Sequence, residues 1–446
     1  MKRGPHQREN KQLSKEGLIS QLQHTFCRIA KKIKTKKRAG SITLPDCLMS
    51  AFAMFNLKSA SLLTFDKTSR EEPLCTNLKT LYGIKKVPCD TYVREVLDEV
   101  DPREIRPAFT TIFSQLQRAK FLEDYAFIDG GYLLSVDGTG MFESQKVSCE
   151  NCCEKHCTNG TTVYYHQVLA GAIVHPRKKQ VIPLCIEPIQ KQDGVSKNDC
   201  ETNAANRFFD DLKREHPRLR LTCVLDALFA TAPFINGLVK RGFGYIITAK
   251  EGNNKTFFEW IENGEVKLKT IEIVKDKNIY EFRYANKIPL NTTKNAPFIN
   301  FLECKATEIK GRQTSVKKFK WFTSHEITDY NIYDLMEGGR ARWKIENETF
   351  NTLKNQGYQF EHNFGHGKKN LNTVFAMLMF LSFLIDQVQE ASDGLFQLAL
   401  AKHKTRRIIW EDIRSFFRLA ILSSWDHVFR ALAFGFKPFE LDLNTC

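Results

Sequence analysis

The chain lacks a hydrophobic run long enough to cross a membrane. Its most apolar stretch, residues 374–385, is far shorter than the roughly 20 residues that a transmembrane helix needs. The first residues also lack the apolar segment of a secretory signal peptide. These absences predict a cytoplasmic protein with no membrane partner, in which residues 374–385 form a buried helix.

Internal repeats, long low-complexity tracts and a clear helix-turn-helix signature are also missing from the sequence. The length of 446 residues and the hydrophobic content of 42% are ordinary for a soluble protein of several domains. The 13 cysteines are an odd number in a chain that shows no secretion signal, so we expect mostly reduced, buried thiols.

Acidic residues are outnumbered by basic ones, 51 against 66, which gives a formal net charge of +15. A positive field of this size favours binding to polyanions, and nucleic acid is the expected partner. A basic run at residues 30–38 includes Lys31 and Lys32, which are candidates for contact with DNA phosphates. A solvated, flexible tail is the alternative interpretation of that run. We therefore expect a nucleoid-associated protein.

The hydrophobic pattern predicts an α/β protein flanked by helical regions. Residues 1–128 form a predicted helical, DNA-binding region, and residues 129–249 alternate between strands and helices. Residues 250–325 show the polar and apolar alternation of antiparallel strands, which indicates a β-rich insertion. Helical patterns return in residues 326–390 and continue through a C-terminal region at residues 391–446.

Three acidic residues stand in contexts that favour metal binding. Asp137 lies in a strand-like segment, Asp226 follows the apolar strand that ends at Leu225, and Glu346 lies on a predicted helix. Carboxylates of this kind bind Mg²⁺ (or Mn²⁺), and two such ions can clamp the oxygens of a phosphodiester during displacement. Each acid also has a structural interpretation: a turn for Asp137, a helix cap for Asp226, and an ion pair with Arg342 for Glu346.

The order of these acids, with the segment Arg342-Trp343-Lys344-Ile345-Glu346, resembles the DDE transposases of bacterial insertion sequences. The resemblance covers about residues 130 to 390 and implies a ribonuclease H-like catalytic core with a β-strand insertion before the final glutamate. Gly339 stands where that family has a tyrosine, and nearby Tyr333 is a candidate substitute. Lys354 follows Glu346 after seven intervening residues, where the family motif has six. Glu348 is therefore an alternative third acid.

The resemblance implies a transposase in which Asp137, Asp226 and Glu346 hold two metal ions. Hydrolysis at a transposon end would be followed by strand transfer to target DNA, with a homodimer acting on paired ends of double-stranded DNA. Arg342 and Lys354 would then project toward phosphates. A catalytically silent DNA-binding protein and a ribonuclease H-like nuclease without strand transfer remain alternatives.

Two further motifs are candidates for binding. The glycine-punctuated segment 361–369 contains His362 and Lys368, which suit close approach to a DNA backbone, although a simple loop would also explain it. Cys149 and Cys152 have the spacing of zinc ligands, and His156 and Cys157 would complete the set; a metal-free thiol loop is the alternative. We expect Asp199, Cys200 and Glu201 to cap a helix rather than to extend the metal site.

Overall fold

The computed structural model describes residues 13–33, 42–191, 200–310 and 313–436. The chain forms two compact units. The helical unit comprises Met1–Lys120, Lys146–Glu150 and Asn351–Cys446, and the sheet unit comprises Phe121–Gln145 and Asn151–Phe350. The helical unit is therefore assembled from both ends of the chain, a grouping that the sequence pattern did not predict.

The described residues in the first half of the helical unit contain six α-helices. Hydroxyl side chains begin several of them: Ser14, Thr43 and Ser61 each accept a backbone N–H from the first turn of the helix that follows. The bounds are α1 Lys15–Lys32, α2 Leu44–Asn56, α3 Leu62–Thr68, α4 Leu74–Tyr82, α5 Asp90–Asp98 and α6 Arg106–Arg118, with a 3₁₀ turn at Pro102–Ile105 before α6.

The described part of the sheet unit contains ten strands that join in one sheet. They are β1 Tyr132–Ser144, β2 Cys153–His156, β3 Thr162–Val174, β4 Ile182–Ile189, β5 Leu221–Leu225, β6 Gly244–Thr248, β7 Lys269–Lys275, β8 Asn278–Pro289, β9 Phe298–Lys310 and β10 Gln313–Thr323. The spatial order is β2-β3-β1-β5-β6-β10-β9-β8-β7, and β4 pairs with β3 outside this path. The predicted α/β class is confirmed at this level.

Strand direction divides the sheet into two parts. Strands β1, β3 and β4 are antiparallel neighbours, whereas β5 runs parallel to β1, and β6 runs parallel to β5. Strands β7 to β10 form an antiparallel meander that joins the sheet through the pairing of β10 with β6. The β-rich segment predicted at residues 250–325 thus extends the main sheet.

Helices connect the parallel strands because parallel neighbours need a crossover. Helix α7 Glu201–Glu215 lies between β4 and β5, α8 Ala232–Arg241 between β5 and β6, α9 Lys255–Glu262 after β6, and α10 Ile332–Arg340 after β10. Gly171 on β3 allows α7 to pack closely, since a β-carbon there would lie 2.3 Å from the Phe208 ring. This packing fixes the start of α7 beside β1.

The remaining helices return to the helical unit. They are α11 Asn351–Asn355, α12 Leu371–Ser392, α13 Gly394–His403, α14 Arg406–Leu419 and α15 Trp425–Phe434. Helix α12 has 22 residues and is apolar enough to span a bilayer, but 94% of its most apolar window is buried inside the protein. Its surroundings are those of a core helix in a soluble protein, and the buried helix predicted around residues 374–385 is confirmed.

A buried ionic network joins the two halves of the helical unit. Asp386 on α12 lies 3.2 Å from the Lys15 ammonium and 2.5 Å from that of Lys58, and the Tyr358 hydroxyl also donates to it. Burial lowers the pKa of Lys58 to about 7, although the Asp386 carboxylate opposes the shift. Two lysines from the N-terminal half therefore depend on one carboxylate from the C-terminal half.

Candidate active site

Asp137 lies within β1 rather than at a strand end. The alternative prediction, that Asp137 begins a turn, is wrong, because β1 continues to Ser144. Ser135 and Asp137 point to the same face of the sheet, since side chains alternate along a strand. The Ser135 hydroxyl donates a hydrogen bond of 3.0 Å to the Arg342 carbonyl oxygen, which holds the segment after α10 over this face.

Arg342 and Glu346 meet Asp137 on that face. The Arg342 Nη1 atom lies 2.9 Å from Glu346 Oε1 and 3.3 Å from Asp137 Oδ2. The Glu346 and Asp137 side chains also form a hydrogen bond with each other. Two acids that stand far apart in the sequence therefore share one guanidinium group.

The segment that carries Glu346 is not a regular α-helix, although a continuous helix was predicted there. Helix α10 ends at Arg340, a 3₁₀ turn covers Ala341–Trp343, and a π-helix covers Ile345–Phe350. A π turn accommodates one residue more than an α turn, and such turns are frequent at functional sites. The irregular turns set the direction in which the Arg342 and Glu346 side chains leave the backbone.

Asp226 directly follows the last residue of β5, the parallel neighbour of β1. Strands β1 and β5 pair in the register Ser135 with Val224, so Asp137 and Asp226 each stand two residues beyond this pair. Neighbouring strands lie about 4.8 Å apart, which places the two aspartates side by side along the sheet. Asp226 Oδ1 also accepts the Leu228 N–H at 2.8 Å, so its predicted role as a helix cap is confirmed for a short 3₁₀ turn.

The environment of Asp137 disfavours its charged form. Burial raises the pKa of its carboxyl group to about 7, and the Glu346 carboxylate adds to the shift. The Gly138 N–H and the Arg342 guanidinium oppose it. One arginine thus pairs with two acids, and the burial of Asp137 is the main reason that its charged form is disfavoured.

Glu201 is a fourth acid that the sequence interpretation assigned only to capping. It is the first residue of α7, and a β-carbon added at Gly138 would lie 2.3 Å from its Oε1 atom. Burial raises the pKa of Glu201, and the charge of Asp226 adds to this effect. The carboxylate therefore approaches β1 beside Asp137, where glycine leaves room for it. Asp199, grouped with Glu201 in that prediction, lies outside the described residues, and Cys200 makes no side-chain capping bond.

The structure separates the two candidates for the third acid. Glu346 contacts Asp137, whereas Glu348 lies near Lys344, where its charge opposes the lowering of the lysine pKa by burial. Gly339 has a packing explanation, because a β-carbon there would lie 2.6 Å from the Trp321 indole ring. Tyr333 packs against Tyr280 with ring centroids 5.3 Å apart, so its ring contacts strand β8.

The other predicted DNA contacts lie in the helical unit, with the exception of Arg342. Lys354 forms an ion pair of 2.7 Å with Glu361. Four further candidates are exposed to solvent: Lys31, Lys32, His362 and Lys368. Residues 34–41, which include the rest of the basic run, lie outside the described residues. Arg342 is paired with the acids, and its contact with phosphate stays a prediction.

The cysteine-rich segment is arranged differently from the predicted zinc set. In the sheet unit, Cys152 Sγ lies 3.4 Å from His166 Nε2, and both residues are buried. In the helical unit, the Cys149 and His366 side chains are hydrogen-bonded. His156 is exposed and lies 3.1 Å from the Thr162 hydroxyl, so its predicted place in the set is not supported.

Cys157, the fourth member of the predicted set, lies in a turn in which its carbonyl oxygen accepts the Gly160 N–H. The two histidines that contact the cysteines were missed because they lie far from the C-x2-C motif along the chain. Only the spacing of Cys149 and Cys152 indicated metal binding in this part of the sequence.

The fold and the acid cluster together define a mixed α/β protein with a candidate oxygen-ligand metal site. Comparison with known proteins adds no assignment, since no protein-family model and no curated protein matches the chain.

Proposed function

We propose that the chain is a metal-dependent DNA transposase of the DDE type. The observation that carries this proposal is the convergence of Asp137 and Glu346 on one face of β1, with Asp226 directly after the end of the neighbouring parallel strand β5. The three acids come from β1, from the residue after β5 and from the segment after the sheet. Convergence of this kind is what phosphodiester chemistry at paired metal ions requires.

The topology of the sheet unit supports a ribonuclease H-like core. The antiparallel strands β1 to β4 are followed by a helix, a parallel strand, a second helix and a second parallel strand. The β meander then precedes the segment with Glu346, which is where the resembled family has its insertion. The π turn at Ile345–Phe350 also offers a reason for the additional residue between Glu346 and Lys354.

The side chains of the site fit Mg²⁺ or Mn²⁺. Asp137, Asp226 and Glu346 offer carboxylate oxygens, the ligands that these cations prefer. A bound divalent ion would supply Lewis-acid activation of water and of the scissile phosphate. Arg342 lies between two of the acids, so metal binding by both of them requires its guanidinium group to shift.

The residues of the chain would then have distinct tasks. The acids fix the position of the metal ions, and the hydrogen bond from Ser135 to the Arg342 backbone keeps the Glu346 segment against β1. Trp343 is 53% exposed beside this segment, and an exposed indole is suited to stacking on a nucleic-acid base. The net charge of +15 favours double-stranded DNA as the partner, both as transposon ends and as target. Homodimer action on paired ends and association with the nucleoid belong to the same proposal.

The test uses a labelled duplex that carries the inverted repeats flanking the gene in its own DNA. With Mn²⁺, the wild-type chain should cleave at the repeat end and join the product to a target plasmid. Asp137→Asn, Asp226→Asn and Glu346→Gln should each lower cleavage on the order of 1000-fold, the size expected when several kcal/mol of transition-state stabilisation are lost. DNA binding should persist in all three variants.

Glu348→Gln is the matched control, because it makes the same change two residues away and should retain cleavage. Cleavage at the wild-type rate by Asp137→Asn would refute the assignment of the site. Cleavage without joined products would favour a nuclease, and binding without cleavage by the wild-type chain would favour a silent DNA-binding protein.

A further inference from the structure

The guanidinium group of Arg342 competes with a metal ion for Asp137 and Glu346. Its Nη1 atom lies 2.9 Å from Glu346 Oε1 and 3.3 Å from Asp137 Oδ2. A Mg²⁺ ion held by both oxygens would stand at about 2.0–2.1 Å from each of them. The ion and the guanidinium would then lie within a few ångströms of each other, and like charges repel strongly at such distances. The metal-free site is therefore closed by a cation that belongs to the protein.

Arg342 uses only part of its hydrogen-bonding capacity in these contacts. Both ion pairs go through Nη1, and within the described part of the chain no oxygen accepts a hydrogen bond from its Nε or Nη2 atom. A guanidinium group presents its N–H donors as a planar fork that matches two oxygens of a phosphate. The group can thus exchange the two acids for a phosphodiester without losing any other hydrogen bond.

The backbone of this segment is held in place, so the exchange would be confined to the side chain. The Ser135 hydroxyl donates to the Arg342 carbonyl oxygen at 3.0 Å. The guanidinium carbon lies 4.8 Å from the centre of the Trp343 ring, and Trp343 is 53% exposed. Rotation of the Arg342 side chain along this ring would carry its charge toward solvent while Glu346 keeps its position.

We propose that Arg342 closes the site to divalent metal until a DNA phosphate draws its guanidinium group away from Asp137 and Glu346. This inference rests on the proposed transposase function. It gives a place to both interpretations of Arg342 from the sequence: the ion pair with Glu346 forms in the free protein, and the phosphate contact forms in the complex with DNA. Metal loading then depends on bound DNA, which limits phosphodiester chemistry to the assembled complex.

This autoinhibitory contact has a thermodynamic consequence. Because DNA and metal both favour the displaced side chain, each should raise the affinity for the other by the same factor, and such coupling is typically about 5- to 150-fold. Direct contact between a metal ion and a DNA phosphate would produce coupling as well. The affinity that separates the two causes is that of a variant without the Arg342 charge, measured in the absence of DNA.

Mn²⁺ binding to the purified full-length chain tests the inference without any turnover. The electron paramagnetic resonance signal of the free ion gives the bound fraction. In the absence of DNA, Arg342→Gln should bind Mn²⁺ about 10-fold more tightly than the wild type, because the competing charge is gone. A precut repeat-end duplex that lacks its 3′ hydroxyl should raise the Mn²⁺ affinity of the wild type more than that of Arg342→Gln.

Arg340→Gln is the matched control, because it makes the same change two residues earlier in a side chain that pairs with Glu308. Its Mn²⁺ affinity should equal that of the wild type. Adding Asp137→Asn to Arg342→Gln should remove the gain, which would locate the bound ion at the acids.

An unchanged or lower Mn²⁺ affinity of Arg342→Gln without DNA would overturn the proposal. A wild-type affinity that the duplex does not alter would also overturn it, and this measurement stays informative if the variant fails to fold. Where the wild type binds Mn²⁺ and cleaves DNA despite either result, only this inference fails. A wild type that binds no Mn²⁺ with or without the duplex would instead remove the proposed metal site, and this inference with it.

Discussion

Replacing Asp137 by asparagine should stabilise the protein in the absence of divalent metal while abolishing its proposed activity. The folded environment raises the pKa of this carboxyl group from 3.8 to about 7. Between these values the folded protein binds more protons at Asp137 than the unfolded chain does. The free energy of unfolding therefore falls as pH rises from about 4 to about 7, because stability rises with pH only where the unfolded state binds more protons.

The size of the effect follows from the shift. About three pKa units at 1.36 kcal/mol each give an upper bound of about 4 kcal/mol, fully developed near pH 8. The Asp137 side chain is 20% exposed, so solvent screening removes only part of this penalty. The substitution also removes the favourable contact with Arg342, but Glu346 remains as a partner for the guanidinium. We expect a net gain of about 1 to 4 kcal/mol, or several degrees in Tm for a unit of this size.

Scanning calorimetry in metal-free buffer measures the effect. The Tm of Asp137→Asn should exceed that of the wild type at pH 8, and the gain should shrink to about 1 kcal/mol or less at pH 4.5, where the unfolded chain also binds protons. Mn²⁺ at about 1,000 times its dissociation constant should reverse the order, since it would stabilise only the wild type, by about 4.1 kcal/mol.

Asp210→Asn is the control, because the pKa of Asp210 is shifted in the opposite direction from that of Asp137. Its hydrogen bond with Arg241 lowers the pKa of Asp210, so neutralising it should bring no gain in stability. A metal-free Asp137→Asn variant that is no more stable than the wild type at pH 8 would refute the electrostatic reasoning.

Two further predictions concern packing and the buried network. Gly339→Ala should destabilise the sheet unit by about 1 to 3 kcal/mol in urea unfolding, because its β-carbon would meet Trp321 at 2.6 Å. Gly140→Ala, where a β-carbon meets nothing within 4 Å, should show no such clash, and equal losses would contradict the explanation. Asp386→Asn should destabilise the helical unit by about 3 to 5 kcal/mol by leaving two buried ammonium groups without their carboxylate. Asp426→Asn, which breaks an exposed ion pair, should cost less than about 0.5 kcal/mol in the same assay.

Regular elements with a clear hydrophobic period could be predicted from the sequence. The strand-like segment around Asp137 and the buried helix at residues 374–385 were predicted and are found within β1 and α12. Those segments depend mostly on local alternation or on continuous apolar character. The helix predicted around Glu346 is instead broken into 3₁₀ and π turns. Its form depends on contacts with β1 and β10, which no local pattern encodes.

For the candidate sites, too, residues with a local signal could be predicted, whereas residues placed by distant contacts could not. Aspartates at strand positions could be found because a carboxylate within an apolar strand is costly unless it is paired or binds a cation. Glu201 was misjudged, since its approach to β1 depends on glycine at position 138 and on the packing of α7. The contacts of Cys152 with His166 and of Cys149 with His366 were not predicted, because the C-x2-C spacing carries no information on histidines elsewhere in the chain.

The register of β1 is the structural fact on which the acid cluster depends. A slip of one residue would turn Asp137 to the opposite face of the sheet, away from Arg342 and Glu346. Leu133 and Leu134 are both fully buried, one on each face, so such a slip would also exchange the packing on the two sides of the strand. The parallel pairing of Ser135 with Val224 fixes the same register from the side of β5 and brings Asp226 level with Asp137. Core packing and strand pairing thus specify one alignment of the acids, and the burial of Asp137 in this alignment costs stability at neutral pH.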